Sequence, residues 1–261
     1  MTNESSMLDA VSELATIAGR VALSYFGKSP KVEQKADGSP VTIADRSAED
    51  TAREWIERRF PSDAIMGEER PHVRPNARRR WYIDPIDGTK SFIHGVPLWG
   101  TLIAVAEGDE VIAGAACFPA LGDTVAAAVG AGAWWNGARC SVSNVPSVAD
   151  ALVLTTGVRF AAAPDRRAAW ERLADSAALA RTWGDCYGYM LVATGRAEVM
   201  LDGSMADWDS APLLPIVKEA GGVFTDWQGR ETGFGKCAIA TNRAVAVEAR
   251  RLLGVGEASS E

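Results

Sequence analysis

Residues 81–90 read Trp-Tyr-Ile-Asp-Pro-Ile-Asp-Gly-Thr-Lys, and they restrict the fold more than any other stretch. Trp81, Tyr82 and Ile83 make a bulky apolar run suited to a buried strand. Asp84 and Asp87 follow, three residues apart, with Pro85 stiffening the turn between them. Gly88 permits a tight bend, and Thr89 is a residue type that caps the start of a helix. Asp, Pro and Gly are common in turns, so either aspartate alone would mean little. Together they bring two carboxylates to the end of a buried strand, where like charges oppose each other's ionisation. A hard cation with oxygen ligands relieves that conflict, and free N–H groups at a helix start suit a phosphate beside it.

The 261 residues allow one large domain or two small ones, with a substantial core. Hydrophobic residues make up 47% and charged residues 23%, ordinary for a soluble globular protein. The 34 acidic and 27 basic residues give a net charge of −7. No basic stripe marks a nucleic-acid face, and Arg78-Arg79-Arg80 reads as a solvated edge before a strand. Cys117, Cys140, Cys186 and Cys237 are spread out with no CxxC pair. That spacing argues against zinc and a disulfide framework, and for reduced thiols in a cytoplasmic protein. The amino terminus lacks a signal-peptide pattern, and no apolar run has the length of a membrane span. With only His72 and His94, a histidine base is poorly supplied; His94, just past the motif, reads as a substrate contact or as a loop residue that caps or packs.

Apolar spacing predicts an amphipathic helix over 7–26, a polar extended connector over 31–40 and a second helix over 42–59. A short strand, 64–66, leads to Gly67-Glu68-Glu69, and 71–80 is expected to be a polar, mobile loop. Residues 98–107 and 111–118 pair around Gly108-Asp109, and 124–129 and 132–135 extend the antiparallel pattern towards a hairpin at Asn136-Gly137. After 148 the pattern alternates: strand 151–155, helix 164–177, helix 186–194, strand 198–201, helix 206–221, strand 237–241, helix 243–253. We therefore expect an amino-terminal α+β half (1–148), a carboxy-terminal α/β half (149–254) with the substrate wall, and a disordered tail (255–261), within one structural unit. Paired strands followed by alternating units give a layered α/β or α+β class.

Asp84-Pro85-Ile86-Asp87-Gly88-Thr89 resembles the signature of the inositol monophosphatase superfamily, the metal-dependent, lithium-sensitive sugar phosphatases. Val41-Thr42-Ile43-Ala44-Asp45, Gly67-Glu68-Glu69, and Trp208-Asp209-Ser210-Ala211 running into Glu219-Ala220-Gly221-Gly222 match in the same order, so the likeness spans about residues 7–255. Gly88-Thr89-Lys90-Ser91-Phe92 and Trp183-Gly184-Asp185-Cys186-Tyr187 are more similar to the histidinol-phosphatase branch. The charge distribution and the short apolar runs point to no nucleic-acid or membrane partner; the resemblance implies a five-layer αβαβα sandwich and a homodimer.

It also implies roles for particular residues. Glu68, Asp84, Asp87, Asp209 and the Ile86 carbonyl would hold metal, two or three ions per site, with Asp84 bridging. Oxygen ligands without His or Cys suit Mg2+, and Mn2+, better than zinc. Asp45 and Thr89, with Glu68, resemble the water-activating group; for Asp45 a simple helix-start role after Thr42 is the competing reading. Gly88 and Thr89 N–H groups would hold phosphate. Asp87, Asp185, Cys186, Asp202 and Asp209 would line the substrate. A second acidic residue at Asp185, beside Asp202, suits a leaving group with an amine or imidazolium, as in histidinol phosphate, and suits inositol less. Trp183 and Tyr187 could flank an imidazole or pack in the core, and Lys90 could meet phosphate or solvent. The expected activity is a phosphoric monoester hydrolase of histidine biosynthesis. Inositol monophosphatase, a nucleotide 3'-phosphatase, and a partner-binding regulatory member of the fold are the alternatives.

Overall fold

The computed structural model describes residues 3–28, 30–36 and 38–256. In chain order the elements are α1 (Asn3–Leu23), β1 (Glu33–Gln34), β2 (Pro40–Val41), α2 (Ile43–Arg59), β3 (Ala64–Gly67), β4 (Arg79–Asp87), α3 (Thr89–Ile93), β5 (Gly100–Glu107), β6 (Glu110–Phe118), β7 (Asp123–Ala128), β8 (Gly132–Trp135) and β9 (Ala138–Arg139). Then follow β10 (Leu152–Thr155), α4 (Arg167–Ser176), β11 (Leu179–Arg181), α5 (Asp185–Ala193), β12 (Val199–Asp202), α6 (Asp207–Glu219), β13 (Val223–Thr225), β14 (Ala238–Thr241) and α7 (Ala246–Leu253).

Strands β3 to β9 form a seven-stranded sheet in sequence order, antiparallel except for the parallel β3–β4 pair. The second sheet has the order β11-β10-β12-β14-β13, with β11, β10 and β12 parallel. Side chains alternate across each strand, and the alternation sorts them into three cores. Trp81 and Ile83 of β4, with Ile103 and Val105 of β5, face α1 and α2. Tyr82, Leu102 and Ala104 point the other way, onto α5 and α6. Those helices also receive Met200, Phe224 and Ala240 from the second sheet. Its outward residues, Val153, Val199, Leu201 and Ile239, pack with Trp170, Leu173 and Val245 beneath α4 and α7. The layers therefore run helices, sheet, helices, sheet, helices: the five-layer αβαβα sandwich that the resemblance implies.

The helices between the sheets approach closely. A Cβ at Gly114 of β6 would lie 2.2 Å from the Pro212 carbonyl oxygen of α6, so only glycine lets the helix seat. Pro212 and Pro215 both lie inside α6.

The structure departs from the sequence expectation in several places. β4 does not stop at Ile83; it carries both aspartates and absorbs Pro85 through a register shift between Asp84 and Asp87. Thr89 is the first helical residue of α3, and the capping position belongs to Gly88, at φ 84°. The 31–40 connector folds into the β1–β2 ribbon. Strands β11 and β13 were not expected, being three residues each and too short for periodicity to show. The 71–80 loop is pinned: Val73 bridges to Ile65, Arg74 pairs with Glu57, and Arg79 pairs with Asp63. Residues 257–261 of the expected tail lie outside the described residues.

Candidate active site

The bulge in β4 turns Asp84 and Asp87 towards the start of α6. There Asp84, Asp87 and Asp209 can each place a carboxylate oxygen within 4.8 Å of the others. Three further contacts fix the strand end. The Ile86 N–H donates to Asp84 Oδ1 at 3.0 Å, the Thr101 hydroxyl donates to the Pro85 carbonyl at 2.8 Å, and the Cys186 N–H donates to Asp87 Oδ2 at 2.5 Å. Asp209 is set by the Ala206 N–H at 2.8 Å, across the first turn of α6.

Asp84 is 2% exposed. Burial, then the charges of Glu68, Asp87 and Asp209, push its carboxyl well above the usual range. Burial and the Asp209 charge push Asp87 up to about 7, against the Cys186 hydrogen bond. Burial likewise raises Asp209 to about 7, opposed by the Ala206 N–H, with Glu68 adding to the rise. Among the described residues no lysine or arginine is ion-paired with these three. A cluster of desolvated, mutually repelling oxygens without a cation has the chemistry of a hard divalent metal site, so the donor set fits that group. The Ile86 carbonyl, the remaining expected ligand, accepts the Thr89 hydroxyl at 3.0 Å and retains a second lone pair.

Glu68 lies beside Asp84, and its own partner is Lys35, at 2.5 Å from Glu68 Oε1. The same ammonium pairs with Glu69. Burial opposes the Lys35 charge, but the two glutamates outweigh it and push the lysine pKa up. Neither Lys35 nor Glu69 was singled out from the sequence. Lys35 is one of two lysines in a polar connector and gave no signal, whereas Glu69 belonged to the Gly-Glu-Glu piece. Glu49 was also missed. Wholly buried, it accepts the Glu69 and Arg70 N–H groups at 2.6 and 3.1 Å and so shapes the turn that carries Glu68.

Asp45 is 1% exposed at the start of α2. Its Oδ2 accepts the Thr42 N–H at 2.8 Å and the Thr42 hydroxyl at 2.7 Å, a capping box with Thr42 as N-cap. The helix-start role weighed against catalysis is therefore present, and the Thr89 hydroxyl is directed at Ile86. Burial raises the Asp45 carboxyl, and the Glu68 charge adds to that.

Lys90, three residues past Asp87, joins Thr156, Arg159, Asp202 and Ser204 in lining a cleft of about 520 Å³. Asp202, at the end of β12, is 8% exposed; it accepts the Thr156 N–H and the Tyr189 hydroxyl, each at 3.2 Å. Burial holds its carboxyl up at about 7. Asp185 starts α5 at φ 51° and is raised to about 7 by burial, then by Asp87, with Lys90 opposing. Cys186 does not face this cleft: its side chain is 1% exposed, packed against Gly100, and its role is to fix Asp87 through the backbone. Tyr187 meets Phe118 edge-on at 5.6 Å, while Trp183 is 41% exposed. His94 Nδ1 lies 2.8 Å from the Lys90 carbonyl, closing the end of α3. Another depression, of about 560 Å³ near Glu107, Lys218 and Glu231, holds none of the clustered carboxylates.

The chain as a whole is similar to known phosphatases. A histidinol-phosphatase of Chlorobaculum parvum is 43% identical over 96% of this chain and 97% of its own length. The histidinol-phosphatase of Mycobacterium tuberculosis is 36% identical, covering 87% and 89%. Among solved structures, an inositol monophosphatase from Zymomonas mobilis superposes with a TM-score of 0.88 at 29% identity, covering 98% of this chain and all of that one. The family model for inositol monophosphatases matches residues 3–256, and the chain belongs to that family.

Proposed function

We propose that the chain is a Mg2+-dependent phosphoric monoester hydrolase that converts L-histidinol phosphate and water to L-histidinol and phosphate. The observation that carries the substrate is the pair Asp185 and Asp202: Asp202 lines the cleft, and Asp185, directed at Gly88, is near enough for its charge to raise the Asp202 carboxyl and to feel that of Asp87, with no lysine or arginine ion-paired to either among the described residues. Such a pair favours a leaving group bearing an amine and an imidazolium over a neutral polyol. The histidinol-phosphatases among its relatives support the same choice.

In this reading Glu68, Asp84, Asp87, Asp209 and the Ile86 carbonyl hold divalent ions, which when bound supply positive charge to a phosphoryl group and acidify water. Gly88 and Thr89 present backbone N–H groups to phosphate oxygens, and Asp45 with Thr89 orients the attacking water and takes its proton. Asp185 and Asp202 orient the leaving group. The active form is a cytoplasmic homodimer, whose mass in solution is checked by light scattering.

The deciding experiment is phosphate release from a panel of esters with Mg2+ present. L-Histidinol phosphate should be turned over far faster than inositol 1-phosphate. Equal or reversed rates defeat the substrate and favour the second reading, inositol monophosphatase, which the fructose-1,6-bisphosphatase/inositol-1-monophosphatase of Thermotoga maritima, 35% identical, supports.

A further inference from the structure

Asp185 and Asp202 come from different elements, α5 and β12, yet one residue joins them. Thr156, immediately after β10, donates its N–H to Asp202 Oδ1 at 3.2 Å. Its hydroxyl oxygen accepts the Asp185 N–H at 2.7 Å. Gly184 completes the joint: a Cβ there would lie 2.3 Å from Thr156 Cα, so the backbone before Asp185 rests directly on Thr156. Asp185 is held at φ 51°, a conformation that persists only where neighbours enforce it. β10 and β12 are adjacent and parallel, which places Thr156 and Asp202 side by side at the same end of the sheet.

From these contacts we infer that Thr156 is the positioning residue that sets the Asp185–Asp202 spacing, and with it the selectivity of the cleft for a cationic leaving group. The inference rests on the proposed reading that this pair meets that leaving group. Only the hydroxyl oxygen can do the work at Asp185. Valine keeps the shape of threonine but offers no acceptor, so the Asp185 N–H loses its bond and the left-handed turn loses its restraint. Serine keeps the acceptor. The Thr156 N–H to Asp202 survives either change.

The test compares the full-length protein with Thr156→Ser, Thr156→Val and Gly184→Ala, each assayed with Mg2+ on L-histidinol phosphate and on β-glycerophosphate, whose leaving group is neutral. The ratio of kcat/KM between the two esters should fall about tenfold in Thr156→Val and Gly184→Ala, mainly through KM for the cationic ester, as for a lost orienting hydrogen bond. Thr156→Ser should stay within about threefold of the parent. Hydrogen exchange at the Asp185 amide, which needs no substrate, should quicken about tenfold in Thr156→Val and hold steady in Thr156→Ser. Unchanged exchange in Thr156→Val, or a serine variant as impaired as the valine one, overturns the inference. Should Thr156→Val fail to fold, an unchanged ester ratio in Gly184→Ala overturns it instead. A parent protein with no preference for the histidinol ester defeats the substrate reading alone, and amide exchange still decides the role of Thr156.

Discussion

Raising the pH of the metal-free protein from 5.5 to 8 should lower its unfolding temperature, and Mg2+ should reverse the trend. Asp87 sits at about 7 in the fold against 3.8 ordinarily. Between those values the folded chain keeps a proton that the unfolded chain has lost, so stability falls as pH rises. The fall is 1.36 kcal/mol per pH unit for each such group. Over pH 5.5 to 7 one carboxyl therefore costs about 2 kcal/mol, and above 7 the loss levels off. At roughly 2–4 °C per kcal/mol for a chain of this order, the midpoint drops by about 4–8 °C. Asp209 and Asp202 are displaced to the same value and act in the same direction, so about 4 °C is the floor. Glu13 and Glu33, lowered by their arginine hydrogen bonds, titrate below this window and do not oppose it. A divalent cation binds the ionised cluster, so its benefit grows with pH; at a hundredfold excess over Kd it contributes about 2.7 kcal/mol. Differential scanning fluorimetry at four pH values, with EDTA or with Mg2+, reads both effects. A metal-free midpoint that is level or rising between pH 5.5 and 7, or a Mg2+ shift of equal size at pH 5.5 and 8, refutes the reasoning.

Asp84→Asn removes one charge from the cluster and keeps its volume. At pH 8 it should raise the metal-free midpoint, abolish the Mg2+ shift and cut turnover at least about a hundredfold; a variant that keeps a parent-like Mg2+ shift shows that Asp84 holds no metal. Asp185→Asn tolerates the same left-handed backbone, so it isolates charge. It should reduce kcat/KM for L-histidinol phosphate by about 30-fold, or roughly 2 kcal/mol, and for β-glycerophosphate much less. Equal losses on both esters would make Asp185 purely structural. Gly114→Ala sets a methyl against the Pro212 backbone, which has no free rotamer to yield, and should destabilise by about 2 kcal/mol or more in urea unfolding.

What the sequence revealed and what it hid follow one physical division. Trp81 to Ile83, the alternation of β5 and β6, and the amphipathic faces of α1 and α2 were legible because burial writes a period into the chain. Asp84 and Asp87 were legible because no apolar pattern accounts for two acidic residues at a buried strand end, and Asp209 only through the resemblance carried by Trp208-Asp209-Ser210-Ala211. Lys35 and Thr156 were not, since their partners are set by the tertiary fold: Lys35 reaches Glu68 over 33 positions, and Thr156 reaches Asp185 over 29 and Asp202 over 46. The bulge in β4 was hidden for the same reason, because the register of a strand is fixed by its neighbour β5.

The same division bears on how the site divides its labour. The carboxylates grouped around Asp84 depend on backbone donors that belong to rigid elements: Ile86 in β4, Cys186 in α5 and Ala206 before α6. One donor comes from the seven-stranded sheet and two from the helix layer packed on it, so the cluster forms only when that sheet, α5 and α6 are docked together. The leaving-group pair hangs from the second sheet and the start of α5, through a threonine at a strand end where substitution disturbs no core. Leaving-group preference can then shift through residues such as Thr156 and Asp185 while the cluster stays intact. That is a physical reason why one fold can serve the cleavage of different esters.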